Sequence, residues 1–399
     1  MILHRLLLKI TLIAGGAPHY EAGLIAGLVE HNVTADVIGG DDLGNAAVLR
    51  FPQVRFRNFY GKSRRGTAMW RKVLRLIAVY LKLLAHATAS DARLIHIQWP
   101  YKLPFFDRTL LNLYYKLLGK RLVFTAHNID AAARDGKQSW ANRISLRFHY
   151  QMMDHIIVHT ERMKAELVGD YGVNASKVSV IPHGIMSAVP MTSLDRGQAR
   201  RHLRLDESRR VVLFFGLITP YKGVEYLVSA LGKLCEQENN FTLIIAGRVK
   251  ECQEYWAQVN RSIKDLHIEK NVILQLGHVP DESVEIYFKA ADVLVMPYRN
   301  IFQSGVLFLA YRFGLPVIAT DVGSFRDELI EGRTGTLCRV DDAEDMAQTI
   351  KQYFESELFR KLEQTHREDI KAYAAQRYSW SSIGKATVGL YSQVLAGRA

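Results

Sequence analysis

Val211-Val212-Leu213-Phe214-Phe215 runs into Gly216-Leu217-Ile218-Thr219-Pro220-Tyr221-Lys222-Gly223, and Val224, Leu227, Val228 and Leu231 follow. A short apolar run, a glycine-bounded loop and apolar positions at helical spacing predict a strand, a turn and a helix. The same reading recurs along the chain. Strands are predicted at Leu7–Ala14, Ala35–Ile38, Leu94–Gln98, Leu122–Ala126, His155–His159 and Val178–Ile181. They recur at Thr242–Ala246, Val272–Gln275, Val293–Met296 and Pro316–Ala319. Continuous apolar runs suit parallel strands buried on both faces, and helical stretches between them make the class α/β. The strands fall into two sets, joined by the apolar-poor stretch Met186–Asp206. Two doubly wound, Rossmann-like domains facing a cleft are expected, at residues 1–190 and 191–376.

The chain has 399 residues and a net charge of +12. That charge is uneven: residues 1–190 hold 25 Lys and Arg against 13 Asp and Glu, while residues 191–399 balance at 27 each. Leu43 to Ser90 carries ten basic residues, from Arg50 to Lys82, and no acidic one. A field of one sign attracts an anionic partner. Ordinary globular composition excludes a disordered chain or a fibre. Cys235, Cys252 and Cys338 match no metal spacing, so no metal site is expected and a reducing compartment fits. No segment has the length and apolarity of a membrane span. Leu6 to Ala14 follows Arg5 like a signal-peptide core. Lys9 within it and Gly15-Gly16 after it favour a buried first strand and a cytoplasmic protein, with a cleaved signal as the alternative.

In doubly wound sheets, ligands bind beyond the carboxyl ends of the strands. Gly15-Gly16 after the first strand offers backbone N–H groups to a phosphate, or is a plain tight turn. His127 after the fourth strand suits a hydrogen-bonding or acid–base role, or bonds to backbone in a loop. Ile181-Pro182-His183-Gly184 reads as a turn into the linker. Lys222, between a glycine loop and a helix start, suits an anion. It is not a Walker loop. Ser304 and Gly305 stand where a second helix begins after the tenth strand, again a place for phosphate.

These stretches, in this order, resemble the GT-B glycosyltransferases of family 4. The resemblance runs through Gly15-Gly16, Thr125-Ala126-His127-Asn128, Asp154 to Thr160, Val178 to Ile185 and Phe214 to Gly223. It continues through Ile244 to Gly247, Ala290-Ala291-Asp292 and Phe313 to Gly323. Around Tyr378-Ser379-Trp380 it implies a terminal helix, 377–399, returning to the first domain. It further implies sugar transfer from a nucleoside diphosphate sugar (UDP or GDP), without a cofactor or metal and with retention. His127 and Lys222 would be catalytic. Gly16, Gly216, Lys222, Arg248, Val279, Ser304, Gly305 and Val306 would bind the donor. No Asp-x-Asp pair occurs, in agreement with a metal-free reaction. Two places depart from the family. Ile301 and Leu309 stand where it usually has two glutamates. Leu217 and Thr219 stand where it often has an arginine, for which Arg248 is the substitute. A glycosyltransferase-like subunit without donor chemistry is the alternative these departures raise.

The basic first domain fits a glycan acceptor on a polyprenyl diphosphate, in synthesis of bacterial exopolysaccharide, capsule or O-antigen. Met69 to Leu84 reads as a basic amphipathic helix. Its Trp70, Val73, Leu76, Ile77, Tyr80, Leu81 and Leu84 face either an anionic membrane or the core. Tyr101, Phe105 and Phe106 add an aromatic anchor or join the core. The segment has no nucleic-acid recognition signature, so no nucleic-acid partner is expected.

Overall fold

The computed structural model describes residues 8–61, 68–130, 139–186 and 189–397. Leu7 of the expected first strand, and Lys62, Arg64 and Arg65 of the basic segment, lie outside them. The chain forms two compact units. Unit 1 runs to Gly184 and resumes at Tyr378, and unit 2 is Ile185–Arg377. The change of unit thus falls at Gly184, before the position expected after residue 190.

Unit 1 holds β1 (Leu8–Ile13), β2 (Val33–Gly39), β3 (Val54–Asn58), β4 (Leu94–Ile97), β5 (Arg121–Thr125), β6 (His155–Val158) and β7 (Val178–Val180). They form one parallel sheet in the order β3-β2-β1-β4-β5-β6-β7. Unit 2 holds β8 (Arg210–Phe215), β9 (Phe241–Gly247), β10 (Val272–Leu276), β11 (Val293–Met296), β12 (Val317–Thr320) and β13 (Gly335–Cys338). Its parallel order is β10-β9-β8-β11-β12-β13. All eleven expected strands are present, with their ends moved by a residue or two. β3 and β13 are additional, and each closes a sheet edge. The order reverses between β1 and β4 and between β8 and β11. Those switch points mark where doubly wound sheets take ligands.

The helices that matter here are α1 (Pro18–Glu30), α2 (Met69–Ala89), α3, α4 (Trp140–Met152), α5 (Val224–Gln237), α6 (Gly305–Arg312) and α7 (Trp380–Leu395). Helix α3 is continuous through Pro104–Phe106, a π turn at Asp107–Leu111 and Asn112–Leu117. The crossovers β3–β4, β4–β5 and β5–β6 all advance in one direction across the sheet, so right-handed connections put α2, α3 and α4 on one face. Helix α1 takes the other face, and α7 packs on it. Trp380, Ile383, Leu390, Tyr391 and Val394 join Leu12, Ile25, Leu28 and Val37 in one apolar core. The Trp380 indole lies directly on Gly23 and Gly184.

The amphipathic segment of the sequence divides on α2. Val79, Tyr80, Leu83 and Ala87 are buried, whereas Trp70, Val73, Ile77 and Leu81 are exposed. Among the described residues, no helix is long and apolar enough to cross a membrane.

Candidate functional site

Unit 2 builds its site at the β8/β11 switch point. After β8, Pro220–Lys222 make a tight turn and Gly223 reverses the chain with φ +63°. A β-carbon at Gly223 would lie 2.0 Å from the Pro297 carbonyl oxygen, so any other residue would push the two loops apart. This brings buried Lys222 to Tyr298, with Nζ 3.6 Å from the ring centroid. The face of an aromatic ring attracts a cation at this distance. The Tyr298 hydroxyl lies 3.5 Å from Ser304 Oγ. Ser304 is the N-cap of α6, yet its side chain does not bond the first turn. The Gly305 and Val306 amides therefore stand at the positive end of the helix dipole without a side-chain cap. Gly216 is next to them: a β-carbon there would lie 3.7 Å from Val306 Cγ2. Thr219 Oγ1, in the same loop, is buried with no hydrogen-bond partner.

The structure thus gathers Gly216, Lys222, Ser304, Gly305 and Val306. Arg248 follows β9, its side chain exposed, and its carbonyl accepts from the Ile218 amide at 2.9 Å. Val279 is buried in the turn after β10, separated from β8 by the whole of β9. Ile301 and Leu309, at the glutamate places, are both buried. A carboxylate at either would be stripped of water. Sequence reasoning missed Glu328. It is buried, accepts from Gln303 beside the α6 cap and from Ser324 Oγ at 3.0 Å, and burial pushes its carboxyl up to about 7.

Unit 1 corrects one expectation. The amides of Gly15, Gly16 and Ala17 are not open to a phosphate. They donate to Oε1 of buried Glu21 at 2.7, 3.0 and 3.3 Å. Glu21 sits in the first turn of α1, where the helix dipole favours an anion, so the chain supplies its own. Gly16 also lies under Trp99, where a β-carbon would come within 2.3 Å of the indole. Trp99 in turn stacks on His127 with centroids 5.2 Å apart and ring planes nearly parallel.

His127 belongs to a buried chain of polar groups. His159 Nδ1 donates to the Ile181 carbonyl at 2.9 Å. Its Nε2 is then an acceptor, and it lies 3.2 Å from His127 Nδ1, which must carry the proton. His127 Nε2 is left as a lone pair, 3.0 Å from the Gln98 side-chain amide. The structure places Gln98 Oε1 on His127 and Gln98 Nε2 3.0 Å from His96 Nε2; a neutral His127 protonated at Nδ1 requires the two amide atoms exchanged, with the nitrogen donating to His127. His96 Nδ1 accepts from Tyr391 of α7 at 2.5 Å. Burial holds His96 down to about 3, His159 to about 4 and His183 to about 3. Burial, with neighbouring His159, His183 and His96, also holds His127 well below the usual imidazole range. These rings are neutral at pH 7. His127 is an acceptor at Nε2 and not an imidazolium acid.

Beside His127 opens a cavity of about 250 Å³, lined among others by Trp99, Arg108, Asp130, Asn142 and His149. Trp99 Nε1, Arg108 Nε and His149 Nε2 are buried polar atoms without a partner. Arg108 bonds Asn142 Oδ1 at 2.8 Å and Ser145 Oγ at 3.1 Å, both neutral. Native proteins seldom leave three such atoms unsatisfied around one cavity, so water or a polar ligand meets them there. The cavity was not legible in the sequence, because its walls come from β5, the loops after β4 and β5, α3 and α4.

The family profile "Glycosyltransferase Family 4" matches residues 14–188, and "Glycosyl transferases group 1" matches residues 195–377. A D-inositol 3-phosphate glycosyltransferase of Corynebacterium efficiens is 28% identical over 283 residues, 68% of this chain. The match spans 65% of that relative's length. Sucrose-phosphate synthase from Thermosynechococcus elongatus superposes with a TM-score of 0.74 at 20% identity, covering 98% of this chain and 99% of its own. Anabaena HepE in complex with UDP and glucose superposes at 0.75 and 18% identity, covering 97% and 100%. The two parallel sheets, their switch-point loops and both profile matches agree: the chain has the GT-B fold and belongs to the family-4 (group 1) glycosyltransferases.

Proposed function

We propose that the protein transfers a hexosyl group from UDP-sugar or GDP-sugar to a lipid-borne glycan acceptor in the synthesis of a bacterial surface polysaccharide, at the cytoplasmic face of the membrane. The bond from the sugar C1 to the diphosphate oxygen breaks, a bond from C1 to the acceptor oxygen forms, and the acceptor hydroxyl passes its proton to the departing diphosphate. The observation that carries this reading is Lys222, held on Tyr298 beside the open amides of Ser304 to Val306. Charge grows on the departing diphosphate, and a fixed ammonium with aligned N–H groups stabilises it in a dry site. With these groups in place the reaction calls for no divalent cation. Retention of configuration follows the family resemblance. His127 Nε2 takes a sugar hydroxyl as donor, which replaces the Gln98 amide. The cavity beside it takes the acceptor, with Arg108 facing an anionic group. Two relatives support parts of this: HepE was solved with UDP and glucose, and the curated relatives act on an inositol phosphate.

Ile301 and Leu309 favour a second reading, a subunit that binds nucleotide without turnover. Calorimetric titration with UDP and GDP tests the first. One of them should bind, and Lys222→Ala should weaken it about 10- to 100-fold, the worth of one charge-assisted contact. Binding of neither nucleotide would overturn the donor site. Binding without release of sugar from any donor, with or without acceptor, would select the second reading.

A further inference from the structure

Helices α2, α3 and α4 lie side by side on one face of the unit 1 sheet. The Tyr80 ring meets Phe106 edge-on at 5.0 Å, and its hydroxyl accepts from the Leu103 amide. Arg108 reaches Asn142 of α4. Each helix buries an apolar face inward: Val79 and Leu83 on α2, Leu111 and Tyr115 on α3, Leu146 and Tyr150 on α4. A helix on a protein surface ordinarily has one such face. These have two.

The second face is as regular as the first and points outward. On α2 it is Trp70, Leu74, Ile77 and Leu81. On α3 it is Leu110, Leu113 and Leu117, the last 78% exposed. On α4 it is Trp140, Ile144 and Phe148, the first 76% exposed. Three adjacent stripes at helical spacing make a patch far beyond the scattered apolar residues of a normal surface.

The charge on these helices is of one sign. They hold eight Lys and Arg and a single acid, Asp107, which is buried. Arg71, Lys72, Arg75, Lys82, Arg143 and Arg147 are exposed beside the stripes. A symmetric dimer through this face would set cation against cation. An anionic bilayer satisfies both properties: the apolar side chains and tryptophans enter the boundary of headgroups and acyl chains, and the cations meet lipid phosphate.

We propose that the outer face of α2, α3 and α4 docks unit 1 flat on an anionic lipid bilayer, with no segment crossing it. The expected basic segment is one edge of this surface, and α3 and α4 supply the larger part. The proposal adds to a membrane-borne acceptor but does not depend on sugar transfer.

Sedimentation of the full chain with large vesicles tests it. Phosphatidylcholine containing about a third phosphatidylglycerol should bind the protein, and pure phosphatidylcholine should bind it at least about tenfold less. Trp140→Ser with Ile144→Ser on α4 should lower the anionic partition coefficient about tenfold or more. Ile77→Ser with Leu81→Ser should act likewise. All four side chains are exposed, so unfolding temperatures and nucleotide binding should be unchanged. Equal binding by wild type and the α4 variant, or no vesicle binding, would overturn the proposal. So would concentration-dependent self-association that the variant abolishes, which would make the occupant a second copy. Loss of UDP binding with vesicle binding intact would overturn only the donor reading.

Discussion

The two units share one topology and nearly opposite chemistry. Unit 1 carries a net charge of +14, from 27 Lys and Arg against 13 Asp and Glu, and among the described residues 16 of the 21 large exposed apolar side chains are on it. It buries neutral histidines and fills its own glycine nest with Glu21. Unit 2 has a net charge of −2, from 25 Lys and Arg against 27 Asp and Glu, buries Lys222 and a carboxyl at Glu328, and leaves its helix start without a side-chain cap. One fold therefore sets few limits on what its switch point holds. The loops decide: unit 1 presents aromatic and imidazole groups, unit 2 presents cationic and amide groups to a diphosphate.

The sharpest test of this contrast is pH. His96, His159 and His183 are held at about 3 to 4 in the fold. Their unfolded values lie near 6.5, so the unfolded chain binds protons first and stability is lost as pH falls below that value. Each ring should cost unit 1 about 2 kcal/mol between pH 7 and pH 5. Glu328 runs the other way. Its carboxyl, raised to about 7, holds a proton in the fold that the unfolded chain releases near 4.5, so its burial costs stability as pH rises from there to 7. Hydrogen exchange resolved by unit, at pH 5 and pH 7, should show unit 1 weaker in acid. In Glu328→Gln, unit 2 should lose its alkaline-side penalty. Parallel pH trends in the two units would erase the contrast.

Next in size is Trp380→Ala. It empties a pocket in the unit 1 core and should cost about 3–5 kcal/mol by denaturant melts. Unit 2 should hold its own midpoint, and a matching fall there would mean the units melt as one. The smallest effect is at Arg108. With UDP saturating the donor site, Arg108→Gln should weaken inorganic phosphate about tenfold by calorimetry. Unchanged binding would place the acceptor's anionic group elsewhere.

The strands with unbroken apolar runs were legible because central parallel strands are buried on both faces. β3 and β13 were not. Each is a sheet edge, and β3 alternates Arg55 and Arg57 with half-buried Val54 and Phe56, which reads as part of the basic segment. The Lys222 loop and the α6 start were legible because each is contiguous in sequence. Glu21, Glu328 and the Arg108 cavity were not, since each depends on which distant element covers it. The exposed stripe of α2 was half legible: the sequence offered one apolar set for either membrane or core, and the structure divides it between a buried and an exposed face.

The return of α7 to unit 1 bears on the order of synthesis. Unit 2 is contiguous, so its core closes without waiting for a distant segment. That of unit 1 does not: Trp380, Tyr391 and Val394 complete a core begun by Ile10 and Leu12. Its first 184 residues leave the exit tunnel long before their last packing partner. During that interval the α1 face stays uncovered, as the outer stripes of α2 to α4 do throughout. The nascent chain is thus most vulnerable to aggregation late in translation, and a chaperone that shields that face would act on the half made first.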